Sequence, residues 1–420
     1  LKIGSGATPR GGKEAYLAEG PFSLIRSQNV LNERFSYGGL AFISQEQADQ
    51  LSNAEVQNGD VLLNITGDSV ARVCQVDPGV LPARVNQHVA IIRPKPEVID
   101  PRFLRYFLVS PEMQAHMLGL AASGATRNAL TKGMIEKFDI PAIPLPEQRA
   151  IAATLGALDD KIALNRKMNA TLEAMARALF RDWFVDFGPT RAKAEGRAPY
   201  LSPDLWSLFP DRLDAEGKPE GWEVGTLNDV ALLNPESWTT RNAPAQVRYV
   251  DLANTKWGSI DGVEHYSWPD APSRARRILR AGDTIVGTVR PGNGSFCYVG
   301  EDGLTGSTGF AVLRPKNPRD QAFVWCAATS PENIERLAHL ADGGAYPAVR
   351  PDAVAATETV IPGANVLEAF QEAVCANLDL MEANKTESRT LAQTRDLLLP
   401  RLMSGELRVA GAERAVEAAQ

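Results

Sequence analysis

Cysteine is scarce in this chain: four residues in 420, none in a Cys-x-x-Cys pair, which removes a disulfide framework and a thiolate metal site as organising features. Histidine is equally thin, and His88, His116, His265 and His339 show no metal-ligand spacing. No apolar run reaches the roughly 20 residues of a membrane span, and no signal peptide opens the chain. These absences predict a soluble protein of a reducing, cytoplasmic setting. Neither a GxxxxGK[ST] phosphate loop nor an Asn/Asp-Pro-Pro-aromatic motif for adenine N6-methyl transfer occurs, and Asn234-Pro235-Glu236 is a turn breaker only. Gly4-Ser5-Gly6 lacks the third glycine and preceding strand of a dinucleotide site, and Glu136-Lys137 has no paired acid for a nuclease centre. No catalytic residue, metal ligand or resident cofactor is therefore assigned, and any catalysis is expected in partners. Cations are also in deficit, 44 Lys and Arg against 51 Asp and Glu, for a net charge of -7. That excludes a uniformly basic nucleic-acid sleeve but leaves room for cations clustered in loops, because total charge does not describe a face.

What the chain does have is a second copy of itself. Asn58-Gly59-Asp60-Val61-Leu62 matches Ala281-Gly282-Asp283-Thr284-Ile285, His88 to Pro94 matches Gly309 to Pro315, and Ser110-Pro111-Glu112 matches Ser330-Pro331-Glu332. Cys74 falls opposite Cys297, each in a strand-like run. A period this long means duplicated domains, not a solenoid of short repeats.

Each copy ends in a long helix-forming segment. Ile151, Leu155, Leu158, Ile162, Asn165, Asn169, Leu172, Ala176, Leu179 and Trp183 step by four and three, the heptad alternation of a coiled coil. The same stripe recurs from Phe370 through Val374, Asn377, Met381, Asn384, Ser388, Leu391, Arg395 and Leu398 to Leu402. At about 1.5 Å per residue, roughly 38 residues make a rod near 57 Å long. Its apolar edge needs a partner, and the other copy is the nearest one. Pairing the helices antiparallel about their midpoints sets Asn165 against Ser388 and Asn169 against Asn384, so that buried amides fix the register. Parallel pairing would set Asn165 against Asn384, and solvent exposure of these polar residues is the plainer alternative.

The expected fold class is α+β: two mixed α/β domains separated by two long helices that form an antiparallel coiled coil, with a pseudo-two-fold internal repeat. The expected boundaries are 1–143 for the first domain, 144–187 for the first long helix and 188–221 for a Pro- and Gly-rich linker. Residues 222–361 make the second domain, 362–407 the second long helix and 408–420 a tail. Within the linker, Leu205 to Phe209 should pack onto something. Short β-branched runs such as 60–65, 89–93, 283–289 and 311–313 read as strands, and 101–120 and 318–340 as helical stretches. Gly221 to Val230 has no counterpart in the first copy, so a leading strand or turn is expected to be missing ahead of Leu1.

The helical segments carry a family resemblance. Pro144-Leu145-Pro146-Glu147-Gln148-Arg149-Ala150-Ile151, Leu158-Asp159-Asp160-Lys161-Ile162, Asn165 to Asn169 and Leu179 to Phe187 resemble the central repeat of the specificity subunits of type I restriction-modification enzymes. Leu391 to Leu407 resembles the distal repeat of the same family; Gly4 to Pro9 and Asn86-Gln87-His88 are weaker matches in the first domain. One departure is Pro362-Gly363-Ala364-Asn365-Val366-Leu367, which replaces the Pro-Leu-Pro-Glu-Gln helix entry and suggests a looser start for the second helix.

The resemblance implies a non-catalytic subunit whose two target-recognition domains each read half of a bipartite double-stranded DNA sequence, with the helices setting the spacer. It also implies two methyltransferase subunits that hold S-adenosylmethionine, and restriction/translocase subunits that use ATP and Mg. A type IIB-like specificity subunit shares this layout. A restriction-inhibiting DNA mimic or scaffold is a further alternative, disfavoured because the duplicated loops carry Arg and Asn rather than Asp and Glu.

Arg and Lys read guanine, and Asn and Gln read adenine, from loops that enter the major groove. On that basis the first domain offers Arg10, Lys13, Arg26, Gln28, Asn29, Arg72, Asn86, Gln87, His88, Thr126, Arg127 and Asn128. The second offers Arg241, Arg248, Asn254, Arg290, Asn293, Ser307, Thr308, Tyr346 and Arg350. For each, a solvated loop residue or turn former is the alternative, and His88 by itself reads better as structural.

Overall fold

The computed structural model describes the chain apart from residues 123–127, 342–346 and 410–420 and the Lys13 side chain. It divides into two compact units, Leu1–Leu164 with the stretch from Glu387 onward, and Asn165–Thr386. Each mixes α and β.

In the first unit, one antiparallel sheet runs Lys2–Ser5, Val89–Arg93, Val61–Asn64, Val73–Gln75. A second runs Ala41–Ile43, Phe22–Ile25, Ala83–Val85, Glu55–Val56, with its middle pair parallel. In the second unit the order repeats strand for strand: Ala231–Leu233, Phe310–Pro315, Thr284–Gly287, Phe296–Tyr298 in one sheet. The other is Glu264–Ser267, Gln246–Val250, Leu304–Ser307, Ala275–Ile278, again with a parallel middle pair. Cys74 lies opposite Leu62 and Cys297 opposite Ile285 in register, both thiols buried in equivalent strands. Gly221 to Val230, the segment without a counterpart, supplies strand Glu223–Thr226, which pairs antiparallel with Glu358–Ile361.

The repeated Gly-Asp and Arg-Pro motifs turn out to be one buried ion pair written twice. Arg93 donates from Nε and Nη2 to Asp60 at 2.6 and 2.7 Å, and Asp60 also accepts from the Gln57 N–H at 2.7 Å. Arg314 grips Asp283 in the same bidentate way at 2.8 and 2.9 Å, and the Arg280 N–H completes the acceptor set at 2.8 Å. Each carboxylate is almost wholly buried, so its hydrogen bonds are obligatory and not decorative.

The helical stretches 101–120 and 318–340 each consist of two helices. Pro101–Val109 is followed by Pro111–Ala122, and Gln321–Ala328 by Pro331–Ala341. Proline has no N–H to give to the preceding turn and forces its predecessor towards extended backbone, so Ser110 ends the first helix at ψ 144. The 188–221 segment has local structure of its own. It carries helices Gly188–Ala194 and Pro203–Ser207, both with proline in the first turn, where the missing N–H costs nothing. Phe209 is buried there, 5.0 Å from the Trp183 ring in edge-to-face contact. An aromatic anchor of this kind contributes about 1.5–3 kcal/mol, enough to hold a Pro-rich segment in place.

The long helices are Leu145–Phe184 and Ala364–Met403, 40 residues each, with both ends offset by the same 219 positions. The second is not looser at its start: the Val366 and Leu367 N–H groups bond the Gly363 carbonyl at 3.0 and 3.2 Å. Within the second unit, Asn384 donates to Asn169 Oδ1 at 2.8 Å, Asn169 donates to the Met381 carbonyl at 3.0 Å and Asn165 to the Asn384 carbonyl at 3.4 Å. Within the first unit, Lys161 pairs with Glu387 and Asp159 with Arg395. In both units the numbers run in opposite directions, so the helix segments pair antiparallel.

What lies beside the helices differs between the copies. In the first unit Arg395 binds Asp159 at 2.8 Å and also reaches the Glu33 carboxylate. Asp159 further accepts from Tyr106 at 2.6 Å and Arg105 at 2.5 Å. Burial pushes Asp159 up, but the Arg105 charge and the hydrogen bonds from Tyr106, Arg105 and Arg395 hold it below the usual carboxylate range. Burial pushes Glu33 above its ordinary value despite Arg395. At the matching positions the second unit has Ala176, Leu378, Trp325 and Cys326, all buried. Glu33 sits at φ 69 and its N–H bonds the Val73 carbonyl; Gly258, at φ 80, makes the matching bond to Phe296.

Candidate nucleic-acid interface

The loops expected to read DNA arise where strands end, and the fold sorts their residues into holders and presenters. Asn29 is fully buried: it accepts from the Arg26 N–H at 3.0 Å and donates to the Ser36 and Gly38 carbonyls at 2.9 and 3.2 Å. Asn86 is buried and accepts from the His88 N–H at 3.0 Å. Ser307 is buried and accepts from the Gly309 N–H at 3.2 Å. All three are buried with their side-chain oxygens engaged inside their own loops, a placement that suits holding the loop more than meeting a base edge. Arg248 is likewise engaged, at 2.8 Å from Glu301, and Arg26 lies over the Tyr16 ring while donating to the Gly39 carbonyl.

Other candidates are brought together from distant sequence. Gln28, Arg72 and His88 line one open hollow of about 480 Å³ with Thr66, Asp68 and Ser69. His88 Nδ1 lies 2.6 Å from Thr66 Oγ1 and its Nε2 2.9 Å from Gln87 Nε2, so the ring is oriented from both sides. Gln87 is exposed and accepts from Thr8 at 2.8 Å. Gln28 is exposed and donates from Nε2 to the Gly38 and Gly39 carbonyls at 3.3 and 3.1 Å, bonds that do not use its Oε1 acceptor. Arg10, Arg72 and Asn128 are exposed, and the Asn128 carbonyl accepts from the Gly67 N–H at 3.1 Å, joining two candidate loops. Lys13 lies on the turn Gly12–Ala15 with its side chain outside the described residues, as are Thr126 and Arg127 entirely.

In the second unit Arg241, Arg290, Asn293, Thr308 and Arg350 are exposed, Asn254 is half-buried, and Tyr346 lies outside the described residues. Arg290 and Arg350 come from segments laced together by the Arg290 N–H to Pro347 carbonyl bond at 2.8 Å and the Val349 N–H to Thr288 carbonyl bond at 2.9 Å. Sequence reasoning missed Asp68 in the hollow, and Trp257, which is 63% exposed at φ 45. The signal for Trp257 was Trp-Gly between two short strands, a turn sequence with an aromatic where a polar residue is usual. Among the described residues no cluster of three or more His, Cys, Asp or Glu could hold a metal ion, and no helix is long and apolar enough to cross a membrane.

Glu236 sets an electrostatic feature of this unit. Hydrogen bonds from Arg280 and Arg314 hold its carboxyl down at about 2, well below the ordinary value. Its contribution is present above the unfolded-state value and lost as pH falls through the folded one. The unfolding midpoint of the second unit should therefore fall between about pH 4.5 and pH 2, and Glu236→Gln should flatten that slope. Tryptophan emission against urea measures it directly, since all seven tryptophans lie in 165–386. Parallel slopes for both proteins would dismiss the ion pairs as contributors.

Comparison with known proteins shows what the chain is similar to. Residues 2–174 match the type I restriction modification DNA specificity domain. The chain is 24% identical to the type I restriction enzyme HindI specificity subunit of Haemophilus influenzae, over 91% of this chain and 94% of that one. It is also 24% identical to the MjaIX specificity subunit of Methanocaldococcus jannaschii, over 97% and 91%. Among solved structures, the type I restriction-modification S subunit of M. genitalium superposes with a TM-score of 0.53 at 15% identity, covering 96% of this chain and 93% of that one.

Proposed function

We infer that this chain, which belongs to the specificity subunits of type I restriction-modification enzymes, is the part of such an assembly that selects the DNA sequence. The observation that carries this is one scaffold built twice with different loop chemistry. The two units share strand order, yet the equivalent turns read Gly67-Asp68-Ser69-Val70 in one and Arg290-Pro291-Gly292-Asn293 in the other. Identical frames with unlike side chains suit two unlike short sequences, because base edges are told apart by the donors and acceptors set against them.

On this reading the target is bipartite double-stranded DNA, and the long helices act as an antiparallel coiled coil that fixes the unspecified spacer. Methyltransferase subunits, two per chain, would supply S-adenosylmethionine and the methyl transfer; restriction subunits would supply ATP- and Mg-dependent chemistry. This chain contributes recognition and docking. The deficit of cations fits such a division, since partners that embrace the duplex can provide phosphate attraction. The named relatives favour neither a type IIB-like subunit nor a DNA mimic.

Mapping methylated adenines in a host that carries this chain and its partners should yield two short motifs at a fixed separation. Exchanging residues 222–361 for those of another specificity subunit should replace one motif, leaving the other motif and the separation unchanged. Loss of both motifs from a folded exchange protein, or a single continuous motif in the parent, would overturn the assignment.

A further inference from the structure

Arg290 stands in a left-handed backbone conformation, φ 46 and ψ 62, that L-residues avoid and glycine adopts freely. It also precedes Pro291, whose ring drives the residue before it towards extended backbone. The first unit shows what the position asks for: at the start of the equivalent turn stands Gly67, at φ 74. A strained non-glycine persists where the structure around it imposes the strain and where the side chain is of use.

Among the described residues, four of the five other left-handed non-glycines have visible reasons. Glu33 is tied to Arg395, Ala71 is buried, Phe187 packs against Trp222 and Asn234 accepts from the Val312 N–H at 3.0 Å. Arg290 has no such reason: its side chain is exposed and, among the described residues, its guanidinium makes no hydrogen bond or ion pair. Its backbone, by contrast, is firmly fixed. The Arg290 N–H bonds the Pro347 carbonyl at 2.8 Å, its carbonyl accepts from the Asn293 N–H at 2.9 Å, and Gly292 rests on the helix Pro331–Ala341, where an added Cβ would lie 3.4 Å from Ala338. The other end of the turn carries Trp257, also left-handed and exposed, whose N–H bonds the Gly294 carbonyl at 2.7 Å. The Trp257 indole covers Gly294 and meets the Phe296 ring edge-to-face, bracing that end of the turn. One rigid turn thus presents a free guanidinium, the planar fork that reads guanine in a duplex groove.

We propose that Arg290 is a specificity-determining residue of the second unit, held out by a strained turn to read a guanine through O6 and N7 in the major groove. The proposal rests on the DNA-reading function inferred above and names the base class for one position of one half-site. Its sister position has only glycine, so the first unit reads no base there.

The test is selection from randomised duplexes by the full chain assembled with its partner subunits, comparing the parent with Arg290→Gly and Arg290→Lys. The parent should select two motifs, the second with a guanine. Arg290→Gly should lower discrimination at that guanine by about tenfold to a hundredfold, with the first motif intact. It should also unfold, by tryptophan emission, at a urea concentration equal to or above the parent's, because it removes the backbone strain. Arg290→Lys should keep the strain and recover only part of the preference, having no planar fork. If Arg290→Gly folds and selects the parent's sequence, or lowers affinity for all sequences alike, the proposal fails while the DNA-reading function stands. If the parent selects no motif, that function fails and the proposal with it.

Discussion

Arg395→Met should lower the stability of the first unit by roughly 3 kcal/mol, the lower end of the range for removing one partner from a buried ionic cluster. Arg395 is 8% exposed and joins Glu33, Asp159 and Asp396. Without it Glu33 loses its cation, while Asp159 keeps Arg105 and Tyr106, and Glu33 retains enough exposure to recruit water. Both features hold the effect below the upper end. The second unit shows the alternative solution. Transplanting its residues as Glu33→Gly, Arg105→Trp, Tyr106→Cys, Asp159→Leu and Arg395→Ala should recover more than half of the loss, since an apolar cluster of matching shape can replace an ionic one. Hydrogen exchange through Val73–Gln75 and the helix Pro101–Val109 reports the first unit, which has no tryptophan, while tryptophan emission should stay at the parent's midpoint. A loss under about 1 kcal/mol would mean the cluster is solvated and adds little.

Asp60→Ala carries the largest effect on the first unit, about 3–5 kcal/mol, because it leaves the Arg93 charge with only the Glu55 carbonyl and the Gln57 N–H without its acceptor. Asp283→Ala should cost the second unit less, since Arg314 also bonds Glu236 and keeps a counter-charge after the substitution. The difference between the two is the informative quantity: it separates the worth of a lone buried pair from that of a pair in a network. Urea titrations of both variants, followed by hydrogen exchange for the first and tryptophan emission for the second, measure it. Equal losses would assign no role to Glu236.

Periodic and repeated features were readable in advance for a local reason. Apolar side chains at helical spacing must be covered, so the stripes from Ile151 to Trp183 and from Phe370 to Leu402 marked the long helices. The matching Gly-Asp and Arg-Pro pairs marked equivalent strands, although their meaning as an ion pair needed the strands to be adjacent. The sites were much less legible. Asn29, Asn86 and Ser307 look like base readers by residue type, and only the fold shows them buried with hydrogen bonds inside their own loops. The 188–221 segment was half legible: Leu205 to Phe209 was expected to pack, but that Phe209 meets Trp183 needed the fold.

By itself the sequence determined that one module is written twice, that each copy closes on a long helix, and which amides lie on the helix seams. Those are consequences of local spacing, fixed by 3.6 residues per turn and alternation along a strand. Tertiary structure alone decided which polar residues are consumed internally and which face outward. It also decided that one patch of the helix face is met by charges in the first copy, at Arg105, Asp159 and Arg395, and by apolar groups in the second, at Trp325, Leu378 and Ala176, and that Arg290 is held in a glycine's conformation. Such outcomes depend on neighbours hundreds of residues away, whose burial and hydrogen bonding set the free energy of each side chain and leave no trace in local spacing.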